Sequence, residues 1–244
     1  MSIRTEYIAE LRYIMLKLGI SDIDTILSTA DEAARKGSSV ELDKLQAAWY
    51  DSLASGSPDY SIYNSDMYIA EAFFCWYKYS RIYIKRLSGW GNAFDGKVIL
   101  DVGNGIGFSS RQLAETFPNS KVIGTNIPGS VQYKISQSIG IDTRPLSDVG
   151  EVDIIFASEY FEHHSAPGDH LVELLRTKPK YIICANTFGS PSTGHFPGYK
   201  INNKDDVCGA VTSRQFNLAM MCNGYQFEHT GFWNNRPTVW TNTR

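Results

Sequence analysis

With 244 residues, 43% hydrophobic and 20% charged, the chain has material for a full core and one larger domain plus an appendage. Its formal net charge of -3 argues against partners held by overall basicity, nucleic acid among them, and no apolar run is long enough to span a membrane. Charge within the first residues stands where a secretion segment would be apolar, and the four cysteines, at 75, 184, 208 and 222, include no Cys-x-x-Cys pair; a cytoplasmic protein with neither a zinc cluster nor a disulfide framework is expected.

Residues 1–95 have the texture of a helical region. Apolar spacing predicts helices over Thr5–Leu18, from Ser21 or Asp22 through Ala34, and from Ser39 to Leu53, with the serines and aspartates standing where helices are capped. The stretch SGSPDY, 55–60, reads as a linker. A long aromatic helix comes next, Met67–Leu87, carrying Phe73, Phe74, Trp76, Tyr77, Tyr79 and Tyr83. Lys78, Arg81, Lys85 and Arg86 recur on it at helical spacing. Such a stripe could grip a phosphate backbone, but a solvated face with the rings packed inward is the favoured reading.

The most informative stretch is KVILDVGNGIG, 97–107. An apolar strand, Val98–Leu100, ends at Asp101 and opens into Gly103, Gly105 and Gly107 before the helix-like SSRQLAETF. Alternate glycines let the backbone turn sharply and approach a ligand where a Cβ would clash. A dinucleotide fingerprint would need its third glycine one position after Gly107, where Phe108 stands, and a P-loop would need a Gly-Lys-Ser/Thr that is absent.

The remaining pattern, an acid followed by Gly-x-Gly-x-Gly, resembles motif I of the class I S-adenosylmethionine-dependent methyltransferases. About twenty residues on, KVIGTN (121–126) reads as the next strand of a βαβ unit. It ends in Asn126, where that family usually has an acid whose carboxylate accepts both ribose hydroxyls. Residues 152–189 look like the family's fourth strand (Ile154–Ser158), a catalytic loop, a helix with Leu171, Leu174 and Leu175, and the fifth strand (Tyr181–Ala185), with Cys184 in the core. Glu162-His163 matches a pair often found after strand four. From Ser213-Arg214-Gln215-Phe216 through Cys222-Asn223-Gly224-Tyr225, the chain resembles the last helix and closing antiparallel hairpin. The resemblance implies an α/β fold: a doubly wound, mostly parallel seven-stranded sheet with an antiparallel last strand in residues 96–244. Residues 1–95 would be the helical cap that selects the substrate.

It also implies the site. S-adenosylmethionine would be held by Asp101, Gly103, Asn104, Gly105, Gly107, Asn126 and Ile127, with Ser158 and Glu159 beside its methionine portion. The reaction would be methyl transfer to an oxygen or nitrogen of a small-molecule acceptor. A nucleic-acid acceptor is the alternative within the class, and a non-catalytic methyltransferase-like scaffold is the alternative outside it, since Asn126 lacks the usual charge. The sulfonium is already electrophilic, so the protein must mainly align the acceptor and exclude water. An alcohol or phenol would also need a base, for which His163 and His195 are the candidates. His195 sits in a Gly/Pro-rich loop after the fifth strand, at the sheet edge where open α/β folds keep ligands.

Residues spaced i, i+3 and i+4 share a helical face, so Glu159, Glu162 and His163 could converge on a divalent cation. The pattern resembles the Glu-x-x-Glu-His site of small-RNA 2′-O-methyltransferases. An imidazole beside two carboxylates suits Mn²⁺ better than Mg²⁺, and His195, Asp205 or Asp206 could complete the shell. His164, His170 and His229 are expected to be structural.

Overall fold

The computed structural model describes residues 2–201, 204–207, 209–232 and 236–244, the side chains of 204–210 excepted. Three helices come first: α1 (Thr5–Lys17), α2 (Ile23–Lys36) and α3 (Val40–Ala54). Ser39 caps α3 by accepting the Leu42 N–H at 3.3 Å. Asp22 behaves differently, opening α2 from a left-handed backbone (φ 55°) and accepting the Thr25 hydroxyl instead of a backbone donor. The linker runs into a 3₁₀ turn, Tyr60–Asn64.

The aromatic helix spans its expected length but is not uniform. A π-helical turn, Trp76–Ser80, joins α4 (Met67–Cys75) to α5 (Arg81–Leu87). Such a wide turn rotates the faces of α5 relative to those of α4 and commonly marks a functional site. Ile84 and Leu87 pack under the sheet, while Ile69, Ala70, Phe73 and Phe74 join the α1–α2 core.

After the short α6 (Gly91–Phe94) come the strands β1 (Val98–Asp101), β2 (Lys121–Thr125), β3 (Asp142–Arg144), β4 (Ile154–Ser158) and β5 (Tyr181–Ala185). The helices α7 (Phe108–Thr116), α8 (Val131–Ser138) and α9 (Pro167–Leu175) intervene. A hairpin, β6 (Tyr199–Ile201) and β7 (Lys204–Val207), which no sequence signal had marked, precedes α10 (Gly209–Cys222), β8 (Tyr225–Glu228) and β9 (Thr238–Asn242). Seven strands form one sheet in the order β3-β2-β1-β4-β5-β9-β8. The first five are parallel and β9 runs antiparallel between β5 and β8.

Both faces of this sheet are covered. Ile154 and Phe156 pack with Leu113 and Phe117 on one side, and Ile155 and Ala157 with Leu171, Leu174 and Phe216 on the other. Two buried faces explain why the central strands are apolar throughout instead of alternating. Packing also crosses the division expected at 95/96. Leu87 and Ile84 lie in the layer beneath the sheet, Phe108 at the start of α7 packs on Trp76 (ring centroids 4.9 Å), and an Arg111–Glu10 ion pair ties α7 to α1. Among the described residues no helix is long and apolar enough to cross a membrane.

The chain leaves β1 toward β2 on one side and reaches β4 on the other. Strand order therefore reverses between β1 and β4, and the connections diverge there, leaving a crevice at the carboxyl ends of the strands. Helices α3 and α4 and the π turn lie over it.

Candidate functional site

A cavity of ≈ 870 Å³ fills that crevice. On the sheet side it is lined by Asp101, Gly103, Asn104, Gly105, Asn126 and Ile127. Ser158, Glu159, His163 and His195 line it further along. The fold thus gathers these sequence-selected residues at one place, but Gly107 and Glu162 do not line it.

The three glycines have different tasks. Gly103 (φ 62°) lies so close to Tyr160 that a Cβ would stand 2.6 Å from its ring, whereas at Gly105 (φ 52°) a Cβ would only touch Ala72 of α4 at 3.4 Å. Gly107 (φ 86°) meets Ser136 of α8, with a Cβ 2.9 Å from the Ser136 Cα. It packs against α8 and lies outside the cavity lining, unlike the other two glycines of the turn. Asn104 likewise turns inward. Its amide donates to Ser110 Oγ (3.1 Å) and Ser136 Oγ (2.9 Å), bridging α7 and α8. Gly124 makes room for it, since a Cβ there would collide with that amide. Asp101 accepts the hydroxyls of Ser109 (2.6 Å) and Ser110 (2.7 Å). Burial pushes its carboxyl up to about 6, against those two bonds.

Asn126 departs from the expected role. Its Nδ2 donates to the Gly105 carbonyl at 2.8 Å and its Oδ1 accepts the Ile127 N–H at 2.8 Å. One N–H and one lone pair of the amide clamp the β1 turn to the end of β2, and a carboxylate could not donate the first bond. Trp76 and Gln132 also line the cavity, but their Nε1 and Nε2 atoms are buried away from it without a protein partner.

The cation-binding cluster expected from Glu159, Glu162 and His163 does not form. Glu159 has a left-handed backbone (φ 50°), strained for a residue with a side chain, and Phe161–His163 is a 3₁₀ turn. The three side chains therefore do not share an α-helical face. Glu162 points into the protein and accepts the Thr187 N–H at 2.7 Å. Glu159 accepts the Thr187 hydroxyl at 3.3 Å, and His163 Nδ1 lies 3.4 Å from the Tyr63 hydroxyl. Burial, reinforced by the Glu159 charge, holds the Glu162 carboxyl well above the usual range. Among the described residues no group of three His, Cys, Asp or Glu side chains is set to hold a metal. The side chains of Asp205 and Asp206 lie outside the described residues.

The cap-side half of the cavity is aromatic and holds neutral imidazoles. His195 is 5% exposed. Its Nδ1 sits 2.8 Å from the Ser190 carbonyl, an acceptor only, so Nδ1 carries the proton and Nε2 keeps a lone pair. Trp49 Nε1 donates to the His195 carbonyl at 2.6 Å, pinning this loop to α3. Burial pushes the His195 imidazole below its ordinary value and His163 well below it. His164 and His170, expected to be structural, lie with ring centroids 3.5 Å apart at a tilt of 33° and also line the cavity.

Two wall residues were not singled out in the sequence. Glu71 is 8% exposed, with the Cys75 thiol donating to it at 3.6 Å. Burial pushes its carboxyl up to about 7, opposed by hydrogen bonds from Cys75 and Ser192. Its signal was a lone acid inside the apolar run MYIAEAFFC. Arg236, whose Nη1 donates to Thr187 Oγ1 at 3.1 Å, approaches from the loop before β9, and nothing local in the sequence announces it.

Solved structures share this architecture. The mitomycin 7-O-methyltransferase MmcR superposes with a TM-score of 0.51 over 82% of this chain and 65% of its own, at 11% sequence identity. The chain has the class I methyltransferase fold. The magnesium protoporphyrin IX methyltransferase of Synechocystis aligns with a TM-score of 0.47, 13% identity, and 84% and 96% coverage of the two chains. At such identities the likeness speaks for the methyltransferase fold and not for its chemistry, and the match spans a little under two thirds of MmcR. No protein-family model matches the chain, and no curated protein is similar to it in sequence.

Proposed function

We propose that the protein binds S-adenosylmethionine and transfers its methyl group to an oxygen or nitrogen of a small molecule. One observation carries this reading: the glycine turn after β1 opens, at the carboxyl edge of a methyltransferase fold, into a single large cavity roofed by the helical cap. The volume is in the range of sites that enclose small ligands.

When bound, that cofactor supplies an electrophilic methyl group. The chain's own residues align the acceptor, exclude water and receive a proton. The Gly103 and Gly105 backbone and Ser158, the latter fixed by its 3.0 Å contact with Ser80, form the cofactor side. His195, with Nε2 unprotonated, is the base this reading assigns for an acidic acceptor.

A small molecule is preferred to nucleic acid because the basic side chains of the aromatic helix do not form a free stripe. Arg81 lies over the Tyr77 ring and donates to the Tyr77 carbonyl, Lys78 lies over Phe74, and Arg86 donates to the Arg236 carbonyl. A non-catalytic binding protein is the second reading, and the engaged amide of Asn126 is what favours it.

Calorimetric titration with S-adenosylmethionine and S-adenosylhomocysteine tests the proposal. Micromolar binding that Gly105→Val abolishes supports it and justifies an acceptor screen. No heat with either compound overturns it.

A further inference from the structure

We propose that the acceptor is an amine that enters as a cation and docks against Glu71, its nitrogen being the atom methylated. This deepens the reading above and rests on it for the methyl donor.

The carboxyl of Glu71 lies in the cavity wall on the apolar helix α4, nine-tenths buried, and its stabilising contacts are the Cys75 thiol and Ser192. Neither is a cation. Arg236, the cation lining the cavity among the described residues, is committed elsewhere: it bonds Thr187 and its charge acts on Glu159. A buried carboxylate without a counter-ion is costly to keep unless a ligand supplies the positive charge.

The surrounding wall suits such a ligand. Tyr63 and Tyr68 line the same space and meet edge to face with centroids 4.9 Å apart, whereas Phe74 and Tyr79 already carry the Lys78 ammonium over their rings. Aromatic rings beside a buried carboxylate attract an organic cation through charge pairing and the ring quadrupoles together. An anionic acceptor at the same place would instead meet the Glu71 carboxylate as a like charge. Burial keeps the Glu71 carboxyl near about 7, which lets it exchange a proton with the bound amine at neutral pH.

The step balances. The ammonium gives one proton to the Glu71 carboxylate, and the freed nitrogen lone pair attacks the methyl carbon. An N–CH₃ bond forms as the S–CH₃ bond breaks, its electron pair remains on sulfur as a neutral thioether, and the product leaves as a methylated ammonium.

The test uses the full chain saturated with S-adenosylhomocysteine. Primary amines from methylamine to 2-phenylethylamine are titrated beside the alcohol and the carboxylate of each carbon skeleton. Amines are expected to bind at least about tenfold tighter than their alcohols, as a charge pair out of water implies, with carboxylates weakest. Glu71→Gln should abolish the amine preference while leaving S-adenosylhomocysteine affinity unchanged. With S-adenosylmethionine, mass spectrometry should find the added methyl on nitrogen. Alcohols or carboxylates binding as well as amines overturns the proposal, as does an amine preference that survives in Glu71→Gln or the absence of amine binding while S-adenosylhomocysteine binds. Because the wild-type comparison decides by itself, the outcome does not depend on how the variant folds. Failure of S-adenosylhomocysteine to bind would strike the methyltransferase reading instead.

Discussion

Replacing Glu71 by glutamine keeps the shape and the acceptor oxygen while removing the ability to ionise, and its effect on stability has a definite sign and pH window. The carboxyl rises from 4.5 to about 7 on folding because it is buried. At about 1.4 kcal/mol per unit, that corresponds to about 3 kcal/mol. Below pH 4.5 the side chain is protonated in both states, and the stabilising influence of the raised value is fully present. As pH rises through about 7 the native state must also ionise, and that contribution is lost. Glutamine never ionises. The variant should therefore match the wild type near pH 4 and exceed it by about 3 kcal/mol near pH 8, which for a chain of this size is a rise of roughly 6–12 °C in Tm. Urea unfolding of the two proteins across pH 4–8 measures the difference directly, and taking the difference cancels the titration of every other group. A difference curve that is flat with pH would refute the claim that this carboxyl is buried without a counter-ion. A stabilised variant that has lost amine binding would show the usual exchange of stability for a functional site.

Gly107→Ala should destabilise by about 3 kcal/mol, because a positive φ is combined with a clash against the Ser136 backbone. Gly105→Ala, which meets only Ala72 at contact distance, should cost about 1 kcal/mol; equal losses in urea unfolding would contradict the packing role given to Gly107. Asn126→Asp removes the donor to the Gly105 carbonyl and should cost about 1 kcal/mol without tightening S-adenosylhomocysteine binding, so tighter binding by calorimetry would restore the ribose role to position 126. Glu162→Ala should cost about 1–3 kcal/mol by orphaning the Thr187 N–H. Glu162→Gln should be close to neutral at pH 7, and Mn²⁺ should leave the wild-type Tm unchanged; a metal-dependent rise lost in Glu162→Gln would reinstate the cation site.

Strands β1, β2, β4 and β5 were legible in the sequence because each is a local property. Val98–Leu100 and Ile154–Ala157 are apolar since both faces of the sheet are covered, and Ser39 marks a helix start by satisfying a free N–H group one turn on. The glycine turn after β1 was legible for the same reason, since positive φ at three positions leaves a mark in residue type alone. Spacing proved a poor guide where it assumed a helix. Glu159, Glu162 and His163 have helical intervals, yet a left-handed residue and a 3₁₀ turn leave the two carboxyls together on Thr187 and turn His163 toward Tyr63.

What a side chain does with its polar atoms depended on partners remote in the chain. Asn126 reads as a substitution for an acid, but its amide is taken by Gly105, 21 residues away. Asn104 reads as part of a ligand loop, but Ser136 and Gly124 draw it into the packing of two helices. Glu71 and Arg236 reach one cavity from opposite ends of the sequence. Sequence by itself determined the helices of the cap, strands β1, β2, β4 and β5 in their order and the place of the turn, because hydrophobic period and backbone freedom are encoded residue by residue. Only the tertiary structure decided which charges lie buried and what compensates them, because desolvation and pairing exist only once distant segments meet.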